Sequence, residues 1–208
     1  MSVDPLVLLA FLPAALALNL TPGADMMFCL GQGLRSGPRS AIAASAGISL
    51  GAFVHTGLAG FGLSAVVAKM PGAFDVIRWI GVGYLIWLAI SSLRNGMSTA
   101  STGTKITAKQ AFWQGMIVNL FNPKVIFFVL AFIPQFVDPL RGSVVAQFLV
   151  FGLVLSLGGF IINAAVGIFA GGVGQRLTTN QRFARGLGIV SAGIFGALAL
   201  RLALLERA

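Results

Sequence analysis

Leu18-Asn19-Leu20-Thr21-Pro22-Gly23-Ala24-Asp25-Met26-Met27 (LNLTPGADMM) interrupts an apolar run that starts near Pro5. Pro22 has no amide hydrogen, and in a helix its ring meets the carbonyl of Leu18. Thr21, standing before a proline, is pushed out of helical geometry, and Gly23 adds backbone freedom. Asp25 then places a carboxylate close to the break. In water such a break costs little. In a bilayer both the orphaned backbone groups and the charge are expensive.

The remaining sequence shows which setting applies. The chain has 208 residues, 57% of them hydrophobic and 9% charged, with a mean hydropathy of +0.95. A soluble domain carries about 25% charged residues. Residues 40–68 and 142–175 hold no Lys, Arg, Asp or Glu. Both runs exceed the roughly 20 apolar residues one helix needs to cross a bilayer. The expected class is therefore an all-α integral membrane protein. The net charge of +9 does not point to nucleic acid, because the basic residues sit in short loops, where positive charge sets membrane orientation. Cys29 is the only cysteine and His55 the only histidine, so neither an intramolecular disulfide nor a Cys/His metal cluster can be built. No cofactor fingerprint is present, and no cofactor is expected. Leu6–Ala17 has the length of a signal-peptide core, but Asp4 precedes it without a Lys or Arg. An uncleaved first helix is expected.

Six hydrophobic segments follow: Pro5 to about Leu34, broken at Thr21-Pro22-Gly23; about Ala41–Ala68; about Phe74–Leu93; about Phe112–Val137, broken at Asn122-Pro123-Lys124; about Val144–Gly171; and about Leu187–Leu205. A Ser/Thr/Gly-rich linker over 95–110 separates a first repeat, 1–94, from a second, 111–208, within one transporter domain. The loops after segments one, three and five hold Arg35, Arg39, Arg94, Lys105, Lys109, Arg176, Arg182 and Arg185, with no acidic residue. That side is expected to be cytoplasmic, which puts both termini outside. Five spans, with one segment lying at the interface, is the alternative.

The halves echo each other. Asn19-Leu20-Thr21-Pro22 resembles Asn119-Leu120-Phe121-Asn122-Pro123 about 100 residues later. Leu34-Arg35-Ser36-Gly37 is matched by Leu140-Arg141-Gly142-Ser143. Three spans per repeat is an odd number, so the second repeat inverts. Inverted repeats with broken helices at matching positions place a transporter site at the repeat interface. Freed carbonyls near Thr21 and Asn122 suit a cation or an ammonium, and the N-terminus of the next half-helix suits a carboxylate. An amino-acid zwitterion offers both groups. Asn19, Thr21, Pro22, Gly23, Asn119, Asn122 and Pro123 are the candidate substrate-binding residues, and Asp25 and Lys124 the candidate coupling charges. Lys124 suits a substrate carboxylate or the charge of Asp25. The plainer readings are a proline kink, an Asp25 near the interface and a snorkelling Lys124. His55 and Asn163 are further candidates, as a proton relay or as polar contacts between helices.

Gly47-Ile48-Ser49-Leu50-Gly51 fits the hydrolase pattern G-x-S-x-G formally. That pattern needs a strand–turn–helix setting, whereas this stretch lies in an apolar helix, with His55 six residues beyond Ser49. Gly47/Gly51 and Gly167/Gly171 read instead as helix-packing faces, which permit a homodimer without requiring one. An intramembrane enzyme using Ser49 and His55 is the minor alternative. A cation exporter is another, and the absence of a second acid in any span argues against divalent cations.

Thr21-Pro22-Gly23-Ala24-Asp25-Met26, Asn119-Leu120-Phe121-Asn122-Pro123-Lys124 and Phe132-Ile133-Pro134-Gln135-Phe136-Val137 together make the chain resemble the LysE/RhtB family of bacterial amino-acid exporters over nearly its whole length. The family's first motif usually reads T-P-G-P, and Ala24 stands at its last position here. The resemblance implies efflux of amino acids or close derivatives across the bacterial inner membrane by proton antiport, with Gln135 a secondary site candidate. It does not fix which amino acid is exported.

Overall fold

The computed structural model describes residues 3–69, 73–94, 105–170 and 181–204. Among these residues there is no strand. They form eight α-helices: α1 Pro5–Leu20, α2 Ala24–Ser36, α3 Pro38–Lys69, α4 Ala73–Arg94, α5 Ala108–Leu120, α6 Pro123–Ala131, α7 Val144–Ile168 and α8 Gln181–Leu204. Short 3-10 turns lie at Ile133–Phe136 and Pro139–Arg141. The linker residues 95–104, Gly171, Arg176 and the end of the sixth segment at Leu205 fall outside the described residues.

The helix ends follow local chemistry. Asp4 caps α1 by accepting from the Leu6 amide at 2.9 Å, with Pro5 at the first helical position. That amide and the Arg141 guanidinium, 2.9 Å away, hold the Asp4 carboxyl below its ordinary pKa. Thr107 and Gln110 form a reciprocal capping box. The box starts α5 at Ala108, ahead of the expected Phe112. In the same way α8 starts at Gln181 rather than Leu187. Apolar runs mark the lipid-facing part of a helix, while capping and polar residues carry the helix further. Among the described residues, the two backbones with positive φ are Gly37 (85°) and Gly142 (116°), where a side chain would strain the turn. They occupy the two turns that echo each other in sequence.

Pro38–Gly62 of α3 and all of α7 are each 25 residues long and apolar enough to cross a membrane. At about 1.5 Å per residue either outreaches a hydrocarbon core of roughly 30 Å. Two further pairs pass the same test as bent units: α1 with α2, bent by 53°, and α5 with α6 and its 3-10 turn, bent by 54°. Both bends fall at the expected prolines, so the first and fourth segments are broken where the sequence placed the breaks. The perimeter is apolar, with Leu6, Leu58, Phe61, Ile161 and Leu204 all exposed. In water such a surface would aggregate; in a bilayer it is the ordinary outer face.

Between helices in lipid there is little hydrophobic drive, so close packing of small residues has to hold them. Gly47 lies against the Phe112 carbonyl of α5, and Gly115 of α5 lies against the Ala44 carbonyl of α3. Gly152 of α7 faces the Thr56 hydroxyl, and Gly167 meets Ala41 and the Cys29 backbone. A Cβ at any of these positions would collide. The G-x-S-x-G stretch is thus a packing surface of α3. On one side of the bundle, Phe11 packs against Phe151 (centroids 4.9 Å apart), Phe136, Phe128 and Phe132. This ring cluster, fully buried except for the partly buried Phe136, pins α1 to α6, its following 3-10 turn and α7.

Candidate functional site

Each proline leaves one carbonyl of the preceding turn without its helical partner. For Pro22 that carbonyl belongs to Leu18, and for Pro123 to Asn119. The Lys124 ammonium donates to the Leu18 carbonyl at 2.5 Å and to the Thr21 carbonyl at 2.7 Å. The Asn119 carbonyl accepts from the Asn122 amide at 2.9 Å, and Nε2 of His55 lies 3.4 Å from it. The lysine after the second break therefore closes the first, and the histidine of α3 stands at the second. The two breaks lie side by side.

Asp25 sits in the first turn of α2. Its Oδ2 accepts from Asn119 Nδ2 at 2.9 Å, a contact between the two halves of the chain. Lys124 is committed to backbone carbonyls, so the two charges are neighbours, each held by a different partner. Asn122 caps α6, its Oδ1 accepting from the Lys124 amide at 3.1 Å. Thr21 is buried, and its hydroxyl donates to the Ala17 carbonyl. Asn19 Nδ2 donates to the Leu155 carbonyl of α7 at 3.1 Å, and its side chain packs on Gly158 and Gly159. Gly23 starts α2 beside the Lys124 side chain.

Two small cavities open from this junction. One, about 20 Å³, is lined by Thr21, Gly23, Asp25, Asn122, Lys124 and Asn163 among others. The second, also about 20 Å³, is lined by Asn19, Asp25, Ser49, Asn119, Ser156 and Asn163 with apolar neighbours. Asn163 thus belongs to both, whereas Gln135 donates to the Ala131 carbonyl one turn back and lines neither. A third cavity, of about 540 Å³, is apolar and lies between α3, α4 and α6, with His55 in its wall. His55 therefore stands between the polar junction and the apolar space. It does not bond Ser49, whose hydroxyl is without a hydrogen-bond partner.

Two contributors escaped the sequence reading. The Tyr84 hydroxyl of α4 reaches the Pro123 and Lys124 carbonyls at 3.3 and 3.1 Å, bracing the second break. Ser156 lies on one face of α7 with Gly159 and Asn163, at spacings of three and four. That spacing is legible in sequence; the aim of Tyr84 is not. Among the described residues no group of three His, Cys, Asp or Glu side chains is placed to hold a metal ion.

Broken helices that meet at buried charges point to a membrane translocator. The family model for LysE type translocators matches residues 16–206, and the chain belongs to that family. Relatives include an uncharacterized membrane protein of Vibrio cholerae, 38% identical over 153 residues, which cover 73% of this chain and 74% of that one. A homoserine/homoserine lactone efflux protein of Salmonella typhimurium is 32% identical over 69% of this chain and 70% of its own length. A leucine efflux protein of Enterobacter sp. is 28% identical over 94% of both chains. No solved structure matches the chain.

Proposed function

We propose that the protein is a secondary exporter of amino acids or close derivatives across the bacterial inner membrane, driven by proton antiport. The observation that carries this reading is the reciprocal junction, in which Lys124 closes the α1 break and Asn119 holds Asp25. An amino-acid carboxylate suits the start of α2 at Gly23 with Lys124 beside it. Its ammonium suits Asp25. The broken backbone at Thr21–Gly23 and Asn122–Pro123 supplies recognition, and protonation of Asp25 couples export to the gradient. Cavities of about 20 Å³ are far below the roughly 300 Å³ of a small-ligand pocket, so the halves part to admit the substrate. The efflux names of the leucine and homoserine relatives support the substrate class. The test is counterflow in proteoliposomes carrying a pH gradient, with leucine, homoserine and other amino acids offered in turn. Accumulation that follows the gradient for at least one of them is expected; none for any amino acid would sink the reading.

The same reading takes the chain as six spans in two inverted repeats, 1–94 and 111–208, with both termini outside. Two contacts support it. Asp4 pairs with Arg141 at 2.9 Å, which puts the start of α1 and the turn before α7 at one face. Ser36 accepts from the Ile106 amide at 3.1 Å, which puts the end of α2 and the approach to α5 at one face. Exposed Gly193 and Gly196 on α8 permit a homodimer through that helix. In a Cys29→Ala background, cysteine at position 4 or 141 is expected to react with an impermeant maleimide added to intact cells. Cysteine at 35 or 105 is expected to react only after lysis. The reverse pattern would invert the topology.

A further inference from the structure

Among the described residues, five buried side-chain oxygens have no hydrogen-bond partner: Asp25 Oδ1, Asn119 Oδ1, Asn163 Oδ1, Ser49 Oγ and Ser156 Oγ. All five belong to residues that line the one cavity of about 20 Å³ between α2, α3, α5 and α7. Asn119 and Asn163 are 1% and 4% exposed, so water outside the bundle does not reach them. A stray unpaired atom is ordinary. Five oxygens from four helices around one cavity are a built site.

We infer that this cavity is a sodium-binding site, occupied when Asp25 is ionised and in competition with the proton on that carboxylate. The donor count carries the inference. Three of the five oxygens only accept, while the two hydroxyls can also donate. No pair of the five bonds directly, and all five residues line the same cavity. A volume of about 20 Å³ admits roughly one water-sized particle. One water donates two hydrogens and leaves an acceptor orphaned. A small cation coordinates all five at once, as hard cations do with carboxylate, amide and hydroxyl oxygens. The alternative that also closes the count is a proton on Asp25 with one water, and hence the competition. A single carboxylate suits a charge of one rather than two. The other titratable groups around Asp25 are Lys124, His55 and Cys29. The Lys124 ammonium lines the neighbouring cavity and not this one, held by its two carbonyls. His55 faces the Asn119 carbonyl, and Cys29 lies one turn along α2.

The site shares Asp25 with the exporter proposed above but requires no amino acid as cargo. Its test is the full chain in detergent at pH 8, with NaCl, KCl and choline chloride compared at equal ionic strength. Saturable ²²Na⁺ binding is expected, with a rise in Tm of about 4 °C at saturation over choline. KCl should give less, because the cavity suits the smaller ion. Lowering the pH to 5 should weaken the sodium effect. Ser156→Ala and Ser49→Ala should keep the wild-type Tm in choline while raising the half-effect sodium concentration by about 10-fold. Asn163→Leu should abolish the shift; if it does not fold, the two serine variants decide. Superimposed NaCl and choline curves with no saturable ²²Na⁺, or an undiminished shift in every variant, would overturn the site. Sodium binding without amino-acid counterflow would leave it standing and count against the exporter reading; counterflow in a protein blind to sodium would do the opposite.

Discussion

Asp25→Asn is expected to cut transport driven by a pH gradient by about 100-fold while leaving Tm within a degree or so of wild type. The asparagine keeps an oxygen for Asn119 Nδ2 to donate to, so the contact between the two halves of the chain survives. What disappears is the negative charge and the ability to take up a proton. A hydrogen bond to a charged partner contributes about 1.5–3 kcal/mol, and the upper end of that range is about 100-fold in a binding or rate constant. The size and direction of this loss follow from the proposed role of Asp25, serving the substrate ammonium and the proton in turn. Rates are to be compared in proteoliposomes at equal protein content. A variant that transports at the wild-type rate removes Asp25 from coupling.

Lys124→Met should damage both properties, and the contrast with Asp25→Asn separates the two roles. The methionine fills similar space but donates nothing, so the Leu18 and Thr21 carbonyls lose the ammonium that closes the α1 break. A buried group left unsatisfied costs about 1–3 kcal/mol. For two carbonyls we expect a loss of about 3 kcal/mol, or roughly 6–12 °C in Tm for a chain of this size. Transport should fall to background. If transport falls while Tm holds, Lys124 serves the substrate rather than the break; if Tm falls while transport holds, it is a structural clamp only.

The neighbours of Asp25 are not legible in the sequence. Its place in the first turn of α2, against Asn119 at the end of α5, sets it at the crossing of the two bends. Lys124 shows where sequence reasoning stops. The sequence offers it as a receiver of a substrate carboxylate or as a counter-ion of Asp25; what no local pattern shows is that a proline in another segment strips the Leu18 carbonyl and that the ammonium donates to it. Asn122 is more legible. An asparagine before a proline that opens a helix is the expected N-cap, and it caps α6. Ser49 drew attention through a hydrolase pattern; its place in the site comes instead from the face of α3 that carries it toward Asn119 and Asn163.

By itself the sequence determined the membrane class, the charge-free runs of the second and fifth segments and the two break points. All three are local properties: a charge-free run long enough to span lipid, or a proline without an amide hydrogen, acts within a few residues of itself. The tertiary structure alone decided what fills the breaks and which oxygens converge. Asn119 finds Asp25 94 positions away, Lys124 finds Leu18 at 106, and Asn19 finds Leu155 at 136. Those pairings depend on how glycine-lined helices close on one another, and no periodicity along the chain encodes that approach.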